Sequence, residues 1–187
     1  MEGCRNGADR VNLFALVVYI PDPLARFLDD LRKELTPGCL PRAHVTILPP
    51  RSLAVSADDA IQAAQSVVSG FAPFEILLGD VEMFQASEVV YIAISQGARE
   101  LRELYANLRN GPLSAQEQYP YEPHITLAQD LKPGQAGPIY ERARSRWTAS
   151  PFSRRIRAER AYFVQSKGDG TWADLAEFPL QGVSVAQ

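Results

Sequence analysis

Two eight-residue segments, PRAHVTIL at 41–48 and YEPHITLA at 121–128, constrain this chain more than any other feature, because each closes a similar run of strand, helix and strand. They contain the only two histidines, His44 and His124, and each histidine has a threonine two places on, Thr46 and Thr126. With five threonines among 187 residues, both histidines gaining that neighbour by chance has a probability of about seven in ten thousand. The flanks repeat too. VVYI occurs at 17–20 and again at 89–92, apolar and β-branched as a buried strand requires. After the first copy Leu24, Phe27, Leu28, Leu31 and Leu35 recur at helical spacing, with proline near the start and TPG behind. After the second copy Leu101, Leu104, Tyr105 and Leu108 do the same, and Asn110-Gly111-Pro112 stops the helix.

The remaining segments carry simpler signals. DDAIQAAQSVVSG at 58–70 predicts a helix, and FEILLGDVEMFQA followed by EVVYIAIS predicts two strands of a hairpin or meander. RRIRAERAYFVQS and TWADLAEFPLQG, separated by Gly168-Asp169-Gly170, predict a C-terminal hairpin. No linker divides the halves, so residues 1–187 are expected to form one domain with enough apolar content, 46%, for a sizeable core.

Charge and cysteine usage narrow the function classes. A net charge of −3 argues against sequence-independent coating of nucleic acid, which relies on many phosphate neutralisations. The charge is nevertheless uneven: Arg142 to Arg160 holds seven arginines and one acid, Glu159. That stripe reads either as a phosphate-facing edge or as a solvated helix face and strand edge. No apolar run reaches the roughly 18 residues of a membrane span, and the N-terminus lacks the basic and apolar segments of a signal peptide. A cytoplasmic protein without membrane attachment is expected, with Cys4 and Cys39 as free thiols.

In each motif strand the period of two places histidine and threonine on one face and Val45 or Ile125 on the other. Two imidazoles flanking one phosphorus can divide the work of cleaving a phosphodiester. One removes a proton from the attacking oxygen and the other protonates the departing one. The threonine hydroxyls can donate to non-bridging oxygens, where charge sits in the transition state. A catalytic zinc wants about three protein ligands, which two histidines do not supply. A serine triad would lack its strained elbow and leave the second motif unexplained. No phosphate-binding loop or dinucleotide fingerprint is present. No metal and no cofactor are therefore expected.

The pair HVTILPP and HITLAQD, 80 positions apart in two strand–helix–strand halves, resembles the two-histidine (2H) phosphoesterase superfamily, which includes RNA 2′,3′-cyclic phosphodiesterases and the enzymes named 2′-5′ RNA ligases. The resemblance runs from about Val11 to Leu180. It implies a bilobal α+β fold, with two antiparallel β-sheets around a central cleft, helices outside, and halves related by a pseudo-two-fold. It implies His44 and His124 as acid and base, in an order left open, and Thr46 and Thr126 as phosphate-binding residues. Candidate substrate contacts are Phe84, Tyr91, Tyr119 and Tyr121, aromatics near the second motif on which a base could stack, and Arg51 as a phosphate donor.

The expected activity is metal-independent hydrolysis of a 2′,3′-cyclic phosphate, on an RNA end or a nucleotide, to a 2′-phosphate. The same displacement by a 5′-hydroxyl in place of water would give reversible 2′-5′ ligation. The expected partner is an RNA end or cyclic nucleotide, acted on by a monomer. Two alternatives stay open: a non-catalytic RNA-end or nucleotide-binding module, and a phosphoesterase for a non-RNA cyclic phosphate.

Overall fold

The computed structural model describes residues 10–38 and 42–182. The chain runs β1 (Phe14–Tyr19), α1 (Leu24–Leu35), β2 (His44–Arg51), α2 (Ala57–Val68), β3 (Phe74–Met83), β4 (Val90–Gln96), α3 (Ala98–Leu108), β5 (His124–Ala128), α4 (Ala136–Thr148), β6 (Arg155–Ala158), β7 (Arg160–Ser166) and β8 (Trp172–Pro179). Both cysteines lie outside the described residues, so the free-thiol expectation has no structural counterpart here.

The strands form two four-stranded antiparallel sheets, in the orders β2-β1-β7-β8 and β5-β4-β3-β6. These orders match position by position, with β1 answering to β4 and β2 to β5, which is the pseudo-two-fold bilobal α+β arrangement the resemblance implied. The ladders refine the correspondence. Thr46 lies opposite Val17 and Val45 opposite Val18, while Thr126 lies opposite Tyr91 and Ile125 opposite Ile92. Val17 therefore corresponds to Tyr91, two residues away from the match suggested by the duplicated VVYI. An even offset keeps every side chain on its proper face, so the inference of a buried strand survives it.

The helical periodicities resolve into packing. α1 buries Leu24, Leu28, Leu31 and Leu35, and α3 buries Leu101, Leu104, Tyr105 and Leu108. α1 also packs on β5 and α3 on β2, so each helix braces the motif strand of the other half. A single apolar cluster consequently joins Leu16, Val45 and Ile47 of one sheet to Ile92, Ile125 and Leu127 of the other. Gly97 makes the turn into α3 possible. Its φ is +84°, and a Cβ there would lie 2.6 Å from the carbonyl oxygen of Glu75, so both backbone conformation and space select glycine.

One expected element divides. Residues 154–166, read as one strand of a hairpin, form β6 on the second sheet and β7 on the first. Only β7 and β8 pair as the hairpin. The reason is a slip in the alternation: Ile156 and Ala158 are buried, then Ala161 and Phe163, with Glu159 and Arg160 consecutively exposed. The chain passes between sheets at that slip, where the Glu159 carbonyl accepts from the Leu180 N–H at 2.8 Å.

Candidate active site

His44 and His124 are the first residues of β2 and β5, the end strands of their sheets, and these two strands pack against each other. The alternation of each strand sends Val45, Ile47, Ile125 and Leu127 into the core, all at most 1% exposed, and leaves His44, Thr46, His124 and Thr126 half-buried on the opposite faces.

The two imidazoles are held alike. Nδ1 of His44 lies 2.7 Å from the carbonyl oxygen of Arg42, and Nδ1 of His124 lies 2.7 Å from that of Glu122. A carbonyl only accepts, so each Nδ1 carries the proton and donates it, leaving the Nε2 lone pair as the reactive atom. Burial pushes His44 down to about 4, against the opposing pull of the Arg42 carbonyl, and the charges of Arg32, His124 and Arg42 act in the same downward direction. Burial also lowers His124, but there the Glu122 carbonyl and then the Glu122 carboxylate both favour the protonated ring. That His124 is among the charges acting on His44 accords with the packing of β2 against β5.

The walls beside them differ. Next to His124, the rings of Phe84 and Tyr91 stack with centroids 4.0 Å apart, and each presents itself edge-on or tilted to the imidazole at 5.2 Å. Tyr91 is buried and donates its hydroxyl to Glu82 at 2.9 Å, whereas Phe84 keeps part of its surface free. Next to His44, Tyr19 sits directly across the ladder and donates to Asp174 at 2.6 Å. The Arg42 guanidinium lies 3.3 Å from the centre of the Tyr19 ring and also bonds Asp174, at 2.7 Å. Tyr162 adds a ring 4.8 Å from that of Tyr19. Sequence reading missed Tyr19, Arg42, Tyr162 and Asp174. Two of them had a signal, since Arg42 and Glu122 occupy the same place before their histidines and Tyr19 belongs to the first VVYI.

Two of the candidate substrate contacts, Arg51 and Tyr121, have other placements, and Tyr119 lies on the surface. Arg51 is 4% exposed, and its guanidinium donates to the carbonyls of Pro49 and Leu113, at 2.9 and 2.8 Å, and pairs with Glu117. It is an internal tie, not a surface donor for phosphate. Tyr121 stacks on Tyr105 at 4.2 Å and donates its hydroxyl to the Thr46 carbonyl at 2.8 Å, which fixes it between the halves. Tyr119 is 52% exposed, and its hydroxyl accepts from the Gln118 amide at 3.2 Å.

The arginine stripe resolves as a charge-paired surface. Arg142 and Arg146 grip Glu34, Arg144 approaches Glu141, Arg154 meets Asp80, Arg155 and Arg157 share Glu75, and Arg160 pairs with Glu177. Among the described residues no three His, Cys, Asp or Glu side chains group to hold a metal ion, and no helix is long and apolar enough to cross a membrane.

Comparison with solved structures finds the same fold at low identity. Escherichia coli LigT in its apo form shares 20% identity at a TM-score of 0.62, with 92% of this chain and 99% of that chain covered. TT0787 of Thermus thermophilus shares 17% at 0.66, covering 91% of this chain and 98% of its own. Kluyveromyces marxianus Usb1 shares 12% at 0.53, covering 93% and 100%. No curated protein sequence matches the chain. The family model of the 2′-5′ RNA ligase superfamily matches residues 20–170, a span that contains both His-x-Thr strands and the helices that brace them, and the chain belongs to that superfamily of two-histidine phosphoesterases.

Proposed function

We propose that this protein, a phosphoesterase by family, hydrolyses a 2′,3′-cyclic phosphate, on an RNA end or a nucleotide, to a 2′-phosphate without a metal ion. The observation that carries the reading is the duplicated imidazole geometry: two rings, each with Nδ1–H fixed on the carbonyl two residues earlier, each left with a free Nε2 beside a threonine hydroxyl. Such a pair suits one in-line displacement at phosphorus. Water oxygen attacks the phosphorus while one Nε2 takes its proton. The P–O3′ bond breaks, and the other imidazolium gives its proton to O3′. The products are a 2′-phosphate and a 3′-hydroxyl, and the enzyme is returned with its two protonation states exchanged, to be reset by solvent. Thr46 and Thr126 donate to the non-bridging oxygens.

The charges before the histidines favour one division of labour. Burial, with the charges of Arg32 and Arg42 acting in the same direction, holds His44 neutral, as a base must be; in His124 burial is opposed by Glu122, which favours the protonated ring that an acid must have. Phe84, partly exposed against His124, is the base-stacking surface of this reading. The likeness to E. coli LigT, a protein solved in complex with 3′-AMP, supports a nucleotide in the cleft. With a 5′-hydroxyl in place of water as the attacking oxygen, the same displacement breaks P–O3′ and joins the cyclic end to that hydroxyl as a 2′-5′ linkage, a step that is reversible because the 3′-hydroxyl can attack the new linkage in turn. Action as a monomeric single domain in the cytoplasm belongs to the same proposal.

The test is hydrolysis of the four nucleoside 2′,3′-cyclic phosphates and a short RNA ending in a cyclic phosphate, with EDTA present and the products assigned by phosphorus NMR. A 2′-phosphate from wild type, and none from His44→Ala or His124→Ala, is the expected result. Ligand binding without turnover by wild type would favour the binding-module reading instead.

A further inference from the structure

Among the described residues β2 hydrogen-bonds to β1 along one edge only; its other side faces β5 of the opposite half. No strand ladder therefore fixes the gap between Thr46 and Thr126. A chain of side chains does so instead, and it begins and ends on β2. The Thr46 carbonyl accepts from Tyr121 at 2.8 Å. Tyr121 stacks on Tyr105 with the rings 16° from parallel. The Tyr105 hydroxyl donates to Oε2 of Glu117 at 2.7 Å, and Oε1 of Glu117 pairs with Arg51. Arg51 closes the circuit on the Pro49 carbonyl of its own strand and reaches the Leu113 carbonyl of the other half.

Burying the Arg51–Glu117 pair, whose side chains are 3% and 17% exposed, is a poor way to gain stability, because desolvation of two ions offsets their attraction. What a buried, directional pair secures is a unique geometry. The device is also one-sided. Eighty positions after Arg51 the second half carries Leu131, so the clamp is no remnant of the duplication.

We propose that Tyr121 and Arg51 are positioning residues that set the separation of the two His-x-Thr strands, so that one phosphate meets both motifs. This rests on the proposed function only for its kinetic readout. The variants are Tyr121→Phe, which removes one hydroxyl and keeps the ring, and Tyr105→Phe, which frees Glu117 from its hydroxyl. Trp147→Phe serves as control, since its indole N–H donates to the Gly79 carbonyl at 2.9 Å in the core between α4 and β3. Inorganic phosphate affinity is measured by calorimetry, turnover with a cyclic nucleotide, and Tm for each variant.

Tyr121→Phe is expected to lower kcat about ten- to a hundredfold and weaken phosphate binding severalfold, beyond any effect of the control at a matched fall in Tm. Tyr105→Phe is expected to act in the same direction with a smaller effect. If wild type binds phosphate but turns over no cyclic nucleotide, the proposed substrate fails while the loss of phosphate affinity in Tyr121→Phe still upholds the clamp. Unchanged kcat and unchanged phosphate affinity in Tyr121→Phe would overturn it, and so would equal losses in Trp147→Phe. A wild type that binds no phosphate would overturn both readings.

Discussion

The two halves of this molecule share a backbone plan and differ in what surrounds their histidines. Strand order, ladder register, the Nδ1 bond to the carbonyl two residues back and the threonine two residues on are the same in both. Around that frame the side chains diverge. Across the ladder His44 faces Tyr19 while His124 faces Ala93, and Thr46 faces Val17 while Thr126 faces Tyr91. The residue whose carbonyl holds the imidazole is a cation on one side and an anion on the other. A duplicated backbone thus delivers two rings held alike, and substituted neighbours make them chemically unequal, which the proposed reaction, needing both an acid and a base, requires.

The largest effect tests whether both halves matter. His44→Ala and His124→Ala should each lower kcat by about 10²–10⁴ with ligand affinity largely kept, checked by steady-state kinetics beside equilibrium binding. A variant of one half that retained wild-type turnover would break the equivalence. Thr46→Val and Thr126→Val should come next, each costing about 10² in kcat if the hydroxyls serve the charge that develops in the transition state.

The inequality of the halves should show in pH dependence. Both histidines lie below their ordinary range, His44 at about 4, so kcat/KM of the free enzyme should peak on the acid side of pH 6.5. Glu122→Gln should move the alkaline limb to lower pH, because it removes the carboxylate that favours protonated His124, and leave the acid limb of His44 in place. Arg102, bound to both Glu122 oxygens at 2.6 and 2.8 Å, offsets part of that charge and keeps the shift small.

Stability should follow the same groups. A histidine whose folded pKa is depressed favours the neutral ring, so its contribution is fully present above the unfolded pKa of about 6.5 and is lost as pH falls toward 4. Tm measured from pH 7 down to 4.5 should fall less steeply for His44→Ala than for wild type. The smallest effect belongs to the arginine stripe. Arg142→Ala breaks an exposed pair and should change stability by less than about 1 kcal/mol, with no change in the affinity for a cyclic-phosphate RNA end.

Much of this was legible in the sequence because it rests on periodicity. The leucines of α1 and α3, the alternation of HVTIL and HITLA, and the duplication itself are local patterns that burial enforces. What was not legible depends on pairing between distant segments. Asp174 meets Tyr19 and Arg42 only because β8 lies beside β7 and β7 beside β1. Arg51 follows two prolines and reads as an exposed cation; its burial comes from Glu117, 66 positions away. The passage of residues 154–166 between sheets had a written cue, the parity slip at Glu159 and Arg160, which charge content masked.

In the proposed reaction the two halves converge on one phosphate. With only two histidines in the chain, the imidazole Cε1–H region of an NMR spectrum holds one resonance from each motif. Titration with inorganic phosphate should move both resonances along a single saturation curve with one Kd. Movement of only one resonance, or of the two with different affinities, would contradict a shared phosphate site.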